Sequence, residues 1–157
     1  MPNNWQKAVK GNSSEETNTR KLKLLDFWTA LNKFLENKSS PIHPQKPLAD
    51  NWNNVSLGTS KANISIVAVH TSKFMQVGVY IPDNKSFYHH LAVNKNIIEN
   101  IFGNKLDWRE LPDKKASRIV VIKHGFNLYD ESCWQDFFEW IEVQVINLKN
   151  AIKQFII

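Results

Sequence analysis

The sequence predicts an α+β fold: an antiparallel sheet of about five strands packed by three helices, in the order α-β-β-β-α-β-β-α. Three observations carry this expectation. Strand-like runs come in groups instead of alternating singly with helices, which favours antiparallel pairing. Apolar residues recur at helical spacing near the start, the middle and the end of the chain. The segments between neighbouring strand-like runs, 58–61 and 71–72, are short enough for hairpins.

The elements follow in order. Residues 1–12 are polar and irregular and read as a flexible lead, leaving 13–157 as one domain. Ser13 stands three residues before Glu16, the spacing of a capping box. Leu24, Leu25, Trp28, Leu31, Phe34 and Leu35 then repeat with helical period, so the first helix is expected over about 15–37. Pro41, Pro44 and Pro47 force a loop, either a stiffened crossover to the sheet or a functional segment.

Strands are expected at 54–59, 62–70 and 73–81. In the third, Phe74, Gln76, Gly78 and Tyr80 alternate with Met75, Val77, Val79 and Ile81, so one face is buried and the other partly apolar. Asp83 or Asn84 is expected to cap a second helix carrying Phe87, Leu91, Ile97, Ile98, Ile101 and Phe102, with Gly103 ending it. Runs at 106–111 and 115–123 complete the sheet. Asp130 caps the last helix, in which Trp134, Phe138, Ile141, Val145, Leu148, Ile152 and Phe155 form a heptad seam. That seam either crosses its own sheet or offers Leu148, Ile152 and Phe155 to a partner, which includes a second copy of the chain.

Composition bounds the function. The chain has 157 residues, 42% hydrophobic and 11% aromatic, enough for a real core. Most of its six Trp and nine Phe belong inside. One cysteine, Cys133, precludes an internal disulfide and reads as a small half-buried side chain. No leading apolar segment and no membrane-length run occur, so a cytoplasmic protein without membrane contact is expected. The net charge of +5 arises from 17 Lys and three Arg against 15 acids, which permits nucleic-acid contact without demanding it.

Catalytic motifs are sparse. His43, His70, His89, His90 and His124 show no metal-ligand spacing, and no glycine-rich phosphate loop or nucleophile elbow occurs. No catalytic residue, metal or cofactor is therefore assigned. A Mg²⁺ nuclease would need a Pro-Asp and an acid-x-Lys pair, which Pro82-Asp83 and Asp113-Lys114-Lys115 satisfy formally. The same acid-x-Lys pattern recurs at Glu36-Asn37-Lys38 and Asp83-Asn84-Lys85, and Pro112 puts Asp113 in a turn. A nuclease using Asp83, Asp113 and Lys115 is the least favoured reading.

Residues 106–119, Leu-Asp-Trp-Arg-Glu-Leu-Pro-Asp-Lys-Lys-Ala-Ser-Arg-Ile, carry two readings. As structure they form a hairpin in which Trp108 packs inward and Arg118 pairs across the strands with an acid such as Glu110. As function they form a basic edge of Arg109, Lys114, Lys115 and Arg118. Lys46 in the proline loop and Lys61 at the first hairpin would extend that surface. Trp5, Trp52 or Trp108 would add stacking if exposed.

Phe27-Trp28-Thr29-Ala30-Leu31, Pro44-Gln45-Lys46-Pro47, the segment 52–58 and Leu111–Ile119 follow one another in the order found in a known family. Over about 24–155 the chain resembles the bacterial and archaeal domain-of-unknown-function family numbered 4268. The resemblance implies a module that often sits behind a restriction-endonuclease-like domain, in association with nucleases and DNA-linked defence proteins. This chain is expected to stand without that nuclease domain. The function expected is a non-enzymatic accessory module binding DNA, RNA or a nucleic-acid enzyme through a basic face. The alternative is a protein-interaction or oligomerisation domain built on the C-terminal heptad helix.

Overall fold

A computed structural model describes the backbone of residues 4–156 and the side chains from Glu15 onward. Helix α1 (Asn4–Asn37) leads into strands β1 (Trp52–Ser56), β2 (Asn63–Val69) and β3 (Phe74–Ile81). Helices α2 (Lys85–Val93) and α3 (Lys95–Phe102) follow, then β4 (Asp107–Arg109), β5 (Ser117–His124) and α4 (Trp134–Ile152). The strands form one antiparallel sheet in the order β1-β2-β3-β5-β4.

Two expected boundaries move. Helix α1 begins at Asn4 instead of near residue 15, so most of the expected lead is helical, and the helix runs through Ser13. The physical reason lies in the segment itself, which holds no proline between Asn4 and Asn37 and only Gly11 to weaken it. The single helix expected after Asp83 is two. Asn94 breaks it: its side-chain amide donates to the His90 carbonyl at 2.8 Å, and its backbone N–H to the Leu91 carbonyl at 3.0 Å. Asparagine competes in this way with helix continuation. Asn84, not Asp83, caps α2, its Oδ1 accepting the Phe87 N–H at 2.9 Å. Gly103, at φ 96°, ends α3 in the left-handed conformation that favours glycine.

The helices and the sheet share one core. Ile64, Ile66, Met75, Val77, Val79, Ile81 and Ile119 point into it from the strands. Phe27 sits at its centre, with ring centroids 5.1 Å from Trp28, 5.2 Å from Phe126, 5.3 Å from Trp134 and 5.1 Å from Phe138. Such aromatic clusters add to the burial energy of each ring.

Helix α4 corrects the interface expectation. Its seam of Trp134, Phe138, Ile141, Val145, Leu148 and Ile152 is buried within the chain's own core. Leu148 and Ile152 are fully enclosed within the chain, while Phe155 is half-buried and packs edge-on against His90. The reason is geometric: α4 lies across β3 and against α1 and α3, and its widest apolar stripe faces them.

Candidate nucleic-acid interface on the open sheet face

Side chains alternate along each strand, so the sheet has a second face. Its positions contribute nothing to the shared core. Register fixes three successive rows across it. The first runs Trp52, Val67, Gln76, Ile122. The second runs Asn54, Ser65, Gly78, Val120, Asp107. The third runs Ser56, Asn63, Tyr80, Arg118, Arg109.

The middle row is small where it crosses β1, β2 and β3. Gly78 is required there: a Cβ would lie 2.4 Å from the Ile119 carbonyl oxygen and 2.6 Å from a Val120 methyl. Asn54 and Ser65, flanked by Asn51, Trp52 and Val67 on one side and by Tyr80 and Arg118 on the other, line a trough of about 340 Å³. Trp52 is 45% exposed, so its indole is available at the rim.

The third row concentrates positive charge. Arg109 and Arg118 stand directly opposite each other in the register. Arg118 lays its guanidinium over the Tyr80 ring, 4.4 Å from the centroid. Burial pulls the Arg118 pKa down, and the Arg109 charge adds to this while Tyr80 opposes it. Arg109 donates from Nε to Asp107 at 2.7 Å and from a terminal nitrogen to Gln76 Oε1 at 3.4 Å. The expected Arg118–Glu110 pair does not form. Arg118 turns to Tyr80, and Glu110 instead meets His89 through its carboxylate.

The other expected contact residues divide. Lys114 and Lys115 are exposed on the β4–β5 turn, at the end of the sheet nearest the arginine row. Lys46 is exposed in the proline loop, which runs beside β1 through the Pro44–Val55 bridge. Lys61 does not join them: its ammonium lies 5.5 Å from the centre of the Phe87 ring, on the helix-covered side. Trp108 is half-buried, its indole N–H donating to Glu99 at 3.1 Å. Trp5 lies outside the described side chains. Asp83 and Asp113 are exposed, and among the described residues no cluster of three or more His, Cys, Asp or Glu is placed to hold a metal ion.

The quoted motifs have structural work to do. The Trp28 indole donates to the Asp50 carbonyl at 2.7 Å and so ties α1 to the start of β1. Gln45 exchanges backbone bonds with the Asn53 side-chain amide at 3.1 and 3.2 Å, docking the proline loop. The turn after β4 is gripped by Lys85. Its ammonium donates to the carbonyls of Glu110, Leu111 (3.0 Å) and Ala116 (2.9 Å) and to Ser117 Oγ (2.9 Å). Four acceptors around three N–H donors account for a turn in which Leu111 adopts φ 55°.

Sequence reasoning found both arginines but missed Tyr80, Gly78 and Ser65 as parts of one surface. The alternation in 73–81 was the available signal; the cross-strand register that aligns those residues with Arg118 was not. A larger depression, about 660 Å³, lies between Glu15, Glu16, Arg20, His70 and Tyr129. Its cation and acids oppose one another, and burial, then Arg20, holds the His70 pKa below the ordinary imidazole range.

No helix among the described residues is long and apolar enough to cross a membrane. No curated protein and no solved structure matches the chain. A family model does match, over residues 24–156, a span that takes in α1's core half, the whole sheet and α4. The chain therefore belongs to the family described as Domain of unknown function (DUF4268).

Proposed function

We propose that the chain is a nucleic-acid-binding accessory module, acting through the open sheet face within a nuclease-linked or DNA-defence system. The observation that carries the reading is the Arg109–Arg118 pair beside Tyr80 on the sheet face turned away from the helices. Two guanidinium groups held side by side have one carboxylate, Asp107, in hydrogen-bond reach. A phosphate would satisfy the remaining N–H donors in the fork geometry that arginine favours. Lys114 and Lys115 extend the positive field past the sheet end, and the net charge of +5 supports encounter with a polyanion.

The test is fluorescence anisotropy with short single- and double-stranded DNA and RNA at low and moderate salt, with Mg²⁺ present and product lengths checked. Binding should weaken steeply with salt, and the Lys114→Glu/Lys115→Glu variant should flatten that slope. No binding at low salt would defeat the reading. Strand cleavage would replace it with an enzymatic one.

A second reading, docking of a protein partner, is favoured by a different surface. Val93 is 81% exposed, and Ile97 and Ile101 stand one turn apart on the outer side of α3 at 49% and 45%. The partner would be a nuclease or a second copy of the chain. The interface expected at the end of α4 moves in this reading to the α2–α3 flank. Ile97→Glu/Ile101→Glu would then abolish assembly in a sedimentation experiment and leave nucleic-acid affinity unchanged.

A further inference from the structure

We infer that the trough between Trp52 and the Tyr80–Arg118 pair seats an unpaired base, so that the face selects single strands over duplex. The inference rests on the nucleic-acid reading above and adds the form of nucleic acid.

Rows on one face of a strand are two residues apart, so the Trp52 row and the Tyr80 row are separated by roughly 13 Å of backbone. Between them, on β1 and β2, the trough is floored by Asn54 and Ser65. Gly78, next to Ser65 in the same row, is covered by the Val120 side chain, which closes the row on the β5 side. A flat slot bounded by an indole and a phenol-backed guanidinium fits a planar aromatic ring. Its volume of about 340 Å³ lies at the small end of the range for ligand pockets.

Polarity and charge then narrow the occupant. The Asn54 amide and Ser65 hydroxyl offer donors and acceptors at the floor, suited to a base edge. Arg118 lays its guanidinium against Tyr80 at the trough wall, and the pair offers a cationic and aromatic edge to a base. Arg109 stands next to it, where the phosphate attached to a seated base would find a cation. A duplex could reach the arginines, but its bases are stacked on one another and cannot enter the slot. Unpaired bases stack on aromatic side chains without regard to sequence.

The experiment compares three labelled ligands of equal length and charge per strand: a single strand, the same strand with abasic residues, and its duplex, each as DNA and as RNA. The base-bearing single strand should bind roughly tenfold or more tighter than the abasic strand and the duplex. Trp52→Ala should erase that preference, and Trp52→Phe should keep most of it. Tyr80→Ala should also erase it, with thermal melts confirming that each variant is folded.

Equal affinity for the base-bearing and abasic strands, with a shared salt slope, would overturn the trough and leave the nucleic-acid reading standing. A preference undiminished in both Trp52→Ala and Tyr80→Ala would place the base elsewhere and overturn it too. No binding of any ligand at low salt would overturn both. The DNA and RNA arms separate the two sources of single strand, and a preference for base-bearing strands in either supports the inference.

Discussion

The two faces of this one sheet differ in what their side chains touch. On β3, Met75, Val77, Val79 and Ile81 are fully enclosed, while the residues between them, Gln76, Gly78 and Tyr80, point to the other face, where Gln76 meets Arg109 and Tyr80 meets Arg118. The covered face spends its chemistry on the core. The helices that cover it bring aromatic rings to the core and an ion pair to its edge, Glu142 of α4 with Lys38 at 2.6 Å. The open face instead places cations opposite one another and leaves an indole exposed. That is a poor way to stabilise a sheet, since like charges directly opposed weaken it. The difference shows where binding chemistry can lie: the motif segments 52–58 and 111–119 contribute Val55 and Ile119 to the core and Trp52 and Arg118 to the open face.

The comparison breaks most visibly at the centre of the core. Phe27→Ala should lower unfolding free energy by about 3–5 kcal/mol, read from denaturant titration, because a fully buried ring surrounded by four others leaves a cavity. Binding should fall only as far as the folded fraction does.

Lys85→Met should cost about 2 kcal/mol. The substitution strands the carbonyls that the ammonium satisfies in the β4–β5 turn. Amide hydrogen exchange should quicken across 110–117 and leave β1 and β2 unchanged. Uniform acceleration across the sheet would show that the turn is not a separate unit.

Glu142 sharpens the covered side through pH. Burial pushes its carboxyl pKa up, but the bonds from Lys38 and Ser40 and the Lys38 charge outweigh this and hold it below the ordinary carboxylate value. The folded pKa lies below the unfolded one, so the contribution is complete above the unfolded value and is lost as pH falls through the folded one. Glu142→Gln should therefore cost about 1–2 kcal/mol at neutral pH, and the gap between variant and wild type should close on acidification. A gap independent of pH would contradict that assignment.

The smallest stability effect belongs to the open face. Trp52→Ala should change unfolding free energy by less than about 1 kcal/mol, because nearly half of the residue is exposed. It should nonetheless weaken nucleic-acid binding more than any of the core variants does at equal folded fraction.

Much of the fold was legible in the sequence because it rests on local period. The alternation of Phe74–Ile81 and the seam from Trp134 to Ile152 each mark an element without reference to the rest of the chain. The break at Asn94 was not legible, since Ile97 and Ile101 continue an apolar pattern that the structure leaves at the surface. The fate of the α4 seam was equally hidden. A heptad stripe reads the same whether it meets its own sheet or a partner, and only the tertiary placement of α4 against β3 decides. The candidate site shows the same limit. Arg109 and Arg118 drew attention as rare arginines near one another in sequence, but their alignment with Tyr80, and of Gly78 with Ser65 and Asn54, follows from strand register. Lys61 looked equivalent to the other cations and lies on the opposite side, over Phe87.

One face of the sheet holds the molecule together, and the other is the face proposed to bind nucleic acid. The most direct measurement is a backbone amide NMR titration of the full chain with a short single strand at low salt. The account predicts shifts concentrated at Trp52, Asn54, Ser65, Gly78, Tyr80, Arg109 and Arg118, with the amides of α4 unmoved. Shifts confined to α3 and α4, with the open face silent, would contradict it.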